Sequence, residues 1–146
     1  MSWFLDSSTL IDCLRGKKPY IEQSLVQNDP SDIKIPAIVK AELVLGAYKS
    51  NDVEWNRSQV ELILSPFEVV PFDDLCVLPY ASIRSQLEKE GQIIGFNDIV
   101  IAATVIAHDG VLFTMNEKEF KRVKGLKIGE WYHYDAESTG EATFSQ

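Results

Sequence analysis

Cysteine is scarce in this 146-residue chain, with two residues, Cys13 and Cys76. Two such residues in one domain point to reduced, buried thiols, and no CxxC or Cys/His spacing suggests zinc. Long apolar runs are missing too. The longest, Ile99 to Ala107, falls far short of the roughly 20 residues needed to span a bilayer. The opening MSWFLDSS has no basic segment and carries Asp6 within its apolar stretch, so no secretory leader is expected and the cytoplasm is the expected compartment. Positive charge is in deficit: 14 Lys and Arg against 22 Asp and Glu leave a net charge of −8. A protein that grips nucleic acid by overall phosphate neutralisation is usually basic. Any contact with nucleic acid here must therefore run through a local basic patch or through metal ions. Histidine is rare as well; His108 and His133 carry no partner signal and read as structural or surface residues.

Hydrophobic residues make up 45% and charged residues 25% of the chain, the usage of an ordinary globular domain. At this length one domain buries enough surface to need no metal or disulfide staple. Periodicity predicts a strand over 3–5, a helix from Ser7 or Ser8 to Gly16, a helix opened by Pro19, and a strand over 32–35. A helix from Ala37 follows, then one capped by Asn51 or Asp52, a strand over 67–71, and a helix from Asp73 or Asp74 to Gly91. The segment after Asn97 and Asp98 is apolar on nearly all sides, which predicts a buried helix. A strand over 111–114, a helical turn over 117–122 and an edge strand over 127–131 complete the domain. From Asp135 the chain is small, polar and acidic, and a loose tail is expected over 135–146, leaving 1–134 as the domain. Such alternation implies an α/β fold with a parallel sheet covered on both faces.

Ligands in such folds sit at the carboxyl ends of the strands. There the order of elements puts Asp6 after the first strand, Glu42 in the helix after the second, Asp98 at the start of the buried helix and Asn116 after the fourth strand. Three carboxylates gathered within several ångströms repel one another unless a cation intervenes, and hard oxygen ligands suit Mg²⁺ or Mn²⁺. Each residue also has a plainer reading: Asp6 and Asp98 as helix caps, Glu42 as a solvated helix face, Asn116 as a turn residue. Periodicity alone does not bring them together.

Four segments carry a resemblance. FLDSSTLIDCLRG (4–16), IPAIVKAELVLGA (35–47), IGFNDIVIAATVIAHDG (94–110) and LFTMNEKEFKRVKGLKIGEW (112–131) occur in the order in which PIN-domain proteins carry their motifs. The length and loops are similar to VapC toxins of bacterial type II toxin–antitoxin pairs. The resemblance implies a three-layer α/β/α fold with a four- to five-stranded parallel sheet, and an Mg²⁺- or Mn²⁺-dependent endoribonuclease that hydrolyses RNA with a metal-activated water. Asp6, Glu42 and Asp98 would correspond to the metal-binding carboxylates, with Asn116 at the fourth catalytic position. Ser8 would hold Asp6 or a substrate phosphate, and Glu119 would assist. A VapB-like antitoxin wrapping the first helices and a homodimer are implied partners.

For RNA, the basic run Lys118, Lys121, Arg122, Lys124 and Lys127, and the smaller group Arg15, Lys17 and Lys18, are the candidate phosphate contacts. Trp55 and the apolar positions of 53–64 are either core or a partner surface, whereas Trp131, Tyr132 and Tyr134 read as strand-end packing. Two other functions stay open at this point. One is a PIN-like module that binds RNA or protein without cleaving. The other is an acidic-site phosphatase or phosphoacceptor with Asp6 as nucleophile, disfavoured because position 8 is Ser rather than a second acid.

Overall fold

A computed structural model describes residues 2–16, 19–131 and 144–145. Lys17, Lys18, Tyr132, His133, Tyr134 and most of the expected tail lie outside the described residues. The strands are β1 (Trp3–Leu5), β2 (Ile33–Pro36), β3 (Glu68–Val70), β4 (Val111–Phe113), β5 (Ile128–Trp131) and β6 (Phe144–Ser145). The helices are α1 (Ser7–Leu14), α2 (Pro19–Gln27), α3 (Ala37–Tyr48), α4 (Val53–Leu64), α5 (Val77–Lys89), α6 (Phe96–Ala107) and α7 (Glu117–Phe120). Short 3₁₀ turns over Pro30–Asp32 and Asp74–Cys76 precede β2 and α5.

Among the described residues the strands form one sheet in the order β3-β2-β1-β4-β5-β6. The first five are mutually parallel, as the alternating pattern predicts; β6 runs antiparallel to β5. Two residues of the stretch read as a loose tail thus pair with Glu130 and Trp131 at the sheet edge. Strands β1 and β4 are buried along their whole length, which explains their near-continuous apolar sequence: a central parallel strand meets helices on both faces.

Chain order decides where a ligand fits. From β1 the chain winds outward through β2 and β3, then crosses back to place β4 and β5 on the other side of β1. Connections diverge at the β1–β4 boundary, and in folds of this kind the carboxyl ends of two such strands are where a ligand crevice lies. Helix α6 is the buried element expected: Ile99, Ile101, Ala102, Ala103, Thr104 and Val105 are all buried. It begins at Phe96, two residues earlier than predicted, because Gly95 takes the N-cap position and Asp98 lies within the first turn. Helix α5 starts later than predicted, at Val77, since Asp73 caps the 3₁₀ turn instead.

Some apolar side chains stay outside the core. Leu10 is fully buried, but Trp55 is 58% and Leu62 68% exposed, which removes them from the core reading. Both cysteines are buried and unpaired. Burial, with Glu22 and Asp12 nearby, pushes the Cys13 thiol up to about 12, so this thiol is inert near neutral pH. Among the described residues no helix is long and apolar enough to cross a membrane.

Candidate active site

Asp6 stands at the centre of the crevice. Register pairs Leu5 with Phe113, so the residues that follow, Asp6 and Thr114, emerge side by side. Asp6 is 3% exposed and Thr114 4%. Oδ1 of Asp6 accepts hydrogen bonds from Thr9 Oγ1 at 2.8 Å, Ser8 Oγ at 3.0 Å and the Thr9 amide at 3.1 Å. Oδ2 accepts from the Thr114 hydroxyl. The amide bond makes Asp6 the N-cap of α1 as well, so the capping reading and the site reading describe the same side chain. A buried carboxylate is tolerated only when its oxygens are hydrogen-bonded or its charge is compensated.

Three more acids face it. Glu42 lies in the second turn of α3 and its Oε1 accepts from Ser7 Oγ at 3.2 Å, which ties α3 to the first residue of α1. Asp98 is half-buried in the first turn of α6. Its carboxyl is pushed up to about 6, first by burial, then by the negative charges of Glu119, Asp6 and Glu42, and by a hydrogen bond with Glu119. A bond between two carboxyl groups requires a proton on one of them. Four acids from four segments therefore lie close enough for their charges, after burial, to raise the Asp98 carboxyl.

Asn116 caps α7 without a side-chain hydrogen bond; its amide donates to Thr114 Oγ1 at 2.9 Å. Thr114 thus links the loop after β4 to Asp6. This donor set is all oxygen and strongly anionic, which fits a hard divalent cation: the ion would offset both the burial of Asp98 and the neighbouring charges that raise it. Asp6, Glu42, Asp98 and Glu119 are the residues able to hold it.

The expected basic run is only partly at this site. Lys118 is exposed on α7, and Lys121 pairs with Glu117 at 3.3 Å. Nη1 of Arg122 donates to the Ile93 carbonyl at 3.4 Å, and Lys124 pairs with Glu90 at 3.0 Å. Lys127 pairs with Asp109 at 3.1 Å. Asp109 and Lys127 precede β4 and β5, so Lys127 stands at the amino end of the sheet, away from the acids. Exposed pairs of this kind are weak.

One family model matches this chain: the PIN domain, over residues 3–126. The chain belongs to the PIN-domain family. Among its relatives, the ribonuclease VapC2 of Rickettsia felis is 42% identical over 99 residues, 68% of this chain and 74% of that protein. The tRNA(fMet)-specific endonuclease VapC of Salmonella typhimurium is 31% identical over 131 residues, 90% of this chain and 98% of that one. Of solved structures, VapBC2 from Rickettsia felis bound to a promoter DNA fragment superposes with a TM-score of 0.81 at 34% identity. The match covers 88% of this chain and 97% of that one. DNA-bound VapBC from Salmonella typhimurium gives 0.83 at 30% identity, with coverage of 88% and 96%.

Three parts of this PIN-domain site leave no mark in the sequence. Thr9 and Thr114 hold Asp6, and Ser7 holds Glu42, yet isolated hydroxyl residues carry no periodic signal. The strand register would have exposed Thr114, since it follows β4 where Asp6 follows β1. Glu119 was visible only as an acid one turn beyond Asn116.

Proposed function

We propose that this PIN domain is an endoribonuclease, the toxin of a type II toxin–antitoxin pair, and that it depends on Mg²⁺ or Mn²⁺. The observation that carries this reading is the gathering of Asp6, Glu42, Asp98 and Glu119 from four segments, with Asp6 buried and hydrogen-bonded and the other three charges felt at Asp98. An all-carboxylate crevice at a sheet switch point is suited to capturing a divalent cation together with an anionic substrate. The names of the relatives supply the substrate class, RNA.

In this reading Asp6, Glu42 and Asp98 would hold the cation. When bound, the cation neutralises charge on the phosphodiester and acidifies water. Ser8, Thr9 and Thr114 fix the Asp6 carboxylate so that its oxygens do not reorient as the ion arrives. Glu119, beside Asp98, would be placed to hold the ion or to orient water. Asn116, being neutral, adds an oxygen without adding charge. Lys118, Lys121 and Arg122 would contact backbone phosphates, the two lysines from the exposed surface of α7 and its C-cap, whereas the Ser8 hydroxyl is spent on Asp6.

The exposed Leu14 on α1, and Trp55 and Leu62 on α4, support a partner that covers apolar side chains of the first and fourth helices, a VapB-like antitoxin carrying a basic side chain toward the acids. A homodimer and a cytoplasmic location complete the proposal. The test is cleavage of structured RNA, tRNA included, in Mg²⁺, Mn²⁺ or EDTA, by the parent chain and by Asp98→Asn. Metal-dependent cutting lost in the variant is expected. RNA binding without cutting by either protein would overturn the enzymatic reading.

A further inference from the structure

We infer that Asp73, Cys76 and His108 form a second cation site, one built for a thiophilic divalent ion of the zinc type. One ligating atom from each of the three lies within 4.8 Å of the others. Sγ of Cys76 lies 3.8 Å from Oδ1 of Asp73. Zinc holds sulfur at about 2.3 Å and oxygen or nitrogen at about 2.0–2.2 Å, so neighbouring ligands on its tetrahedron stand roughly 3.5 Å apart. The cluster needs to contract by about an ångström to close on an ion. Carboxylate, thiolate and imidazole are a ligand set that selects zinc, cobalt or cadmium over Mg²⁺ and Ca²⁺, which want oxygen throughout.

An independent observation points to a missing ligand. Nε2 of His108 is buried and has no hydrogen-bond partner among the described residues. Buried polar atoms are nearly always paired, and an exception calls for a cause. The other groups around the ring do not supply one. Phe4 stacks obliquely at 6.2 Å, and Glu68, close enough to feel the imidazole, is engaged by Lys34. A cation on this nitrogen removes the deficit.

The framework suits such an ion. Asp73 caps the 3₁₀ turn that carries Cys76 three residues later, and His108 is the C-cap of α6. Cys76 is fully buried whereas Asp73 is exposed, which leaves one side open for the ion to enter and for water as fourth ligand. Asp98 and His108 sit at opposite ends of α6, ten residues or about 15 Å apart, so this site is separate from the acidic crevice. Binding exchanges the Cys76 S–H bond for an S–metal bond and sends that proton to solvent, with no change of oxidation state. The ion would pin the crossover after β3 to the end of the buried helix.

The test uses the full chain, reduced and stripped of metal, titrated with Co²⁺. One equivalent is expected to produce a thiolate-to-cobalt charge-transfer band that Zn²⁺ removes and Mg²⁺ does not. Carboxylate ligands in the crevice cannot give that band. His108→Gln and Asp73→Asn should each weaken cobalt binding by about tenfold or more, and Cys76→Ser should abolish the band while Cys13→Ser keeps it. If Cys76→Ser fails to fold, the His108→Gln affinity decides. No band at large cobalt excess, or an unchanged affinity in His108→Gln, would overturn the site. RNA cleavage is not the readout, so failure of this inference leaves the ribonuclease reading untouched.

Discussion

Replacing Asp98 by Asn should stabilise the metal-free protein while abolishing its activity. The Asp98 carboxyl, ordinarily at 3.8, is pushed up to about 6 by burial first and then by Glu119, Asp6 and Glu42. Below pH 3.8 the folded and unfolded chains both carry the proton, and nothing is lost. Between 3.8 and about 6 the unfolded chain has released it while the folded chain keeps it, so stability falls as pH rises. Above about 6 the folded chain carries the full cost of the charge. A gap of this size corresponds to about 3 kcal/mol. Asp98 is only half-buried, and solvent screening reduces the figure to about 1–2 kcal/mol. Asn keeps the shape and removes the charge, so Asp98→Asn should gain about that much near neutral pH in EDTA and nothing near pH 3. Added Mg²⁺ should reverse the ranking, because it stabilises the parent by about 2.7 kcal/mol at a hundredfold excess over Kd and has little hold on the variant. Urea unfolding at several pH values, with EDTA or Mg²⁺, reads all of this. A variant less stable than the parent in EDTA at neutral pH, or a difference that ignores pH, would refute the crowding argument.

Asp6→Ala removes the α1 cap and strands the hydroxyls of Thr9 and Thr114; a loss of about 2–4 kcal/mol is expected in urea unfolding together with loss of cleavage. Thr114→Val should cost about 1–3 kcal/mol and weaken Mg²⁺ binding by about 10–100-fold in calorimetry, since it frees Asp6 to turn. RNA affinity should fall with salt, and Lys118→Ala or Lys121→Ala should each flatten the log–log slope by roughly 1; a binding curve indifferent to salt would contradict the phosphate contacts. Gly129→Ala places a methyl group into the Trp3 ring and should destabilise the sheet by about 1–3 kcal/mol, with Mg²⁺ affinity unchanged in the folded fraction.

What the sequence by itself determined is the layering. Apolar runs such as WFL and VLF, separated by amphipathic helices, can be satisfied only by central parallel strands with helices on both faces, because period and burial are local properties. The same reading placed Asp6, Glu42 and Asp98 at element ends. It could not decide that Trp55 and Leu62 stay in water, since helical spacing marks an apolar face but not what covers it. Nor could it find the partners of Asp6, because hydroxyl groups far apart in the chain leave no pattern. Tertiary structure decided three things. Strand register set Thr114 beside Asp6. The course of the chain after β4 brought Glu119 within reach of Asp98. Packing of the turn after β3 on the end of α6 brought Cys76 within reach of His108, a pair whose separation in the chain hides it from any spacing rule. Each is a long-range contact, and such contacts depend on the whole chain closing, which no local segment encodes.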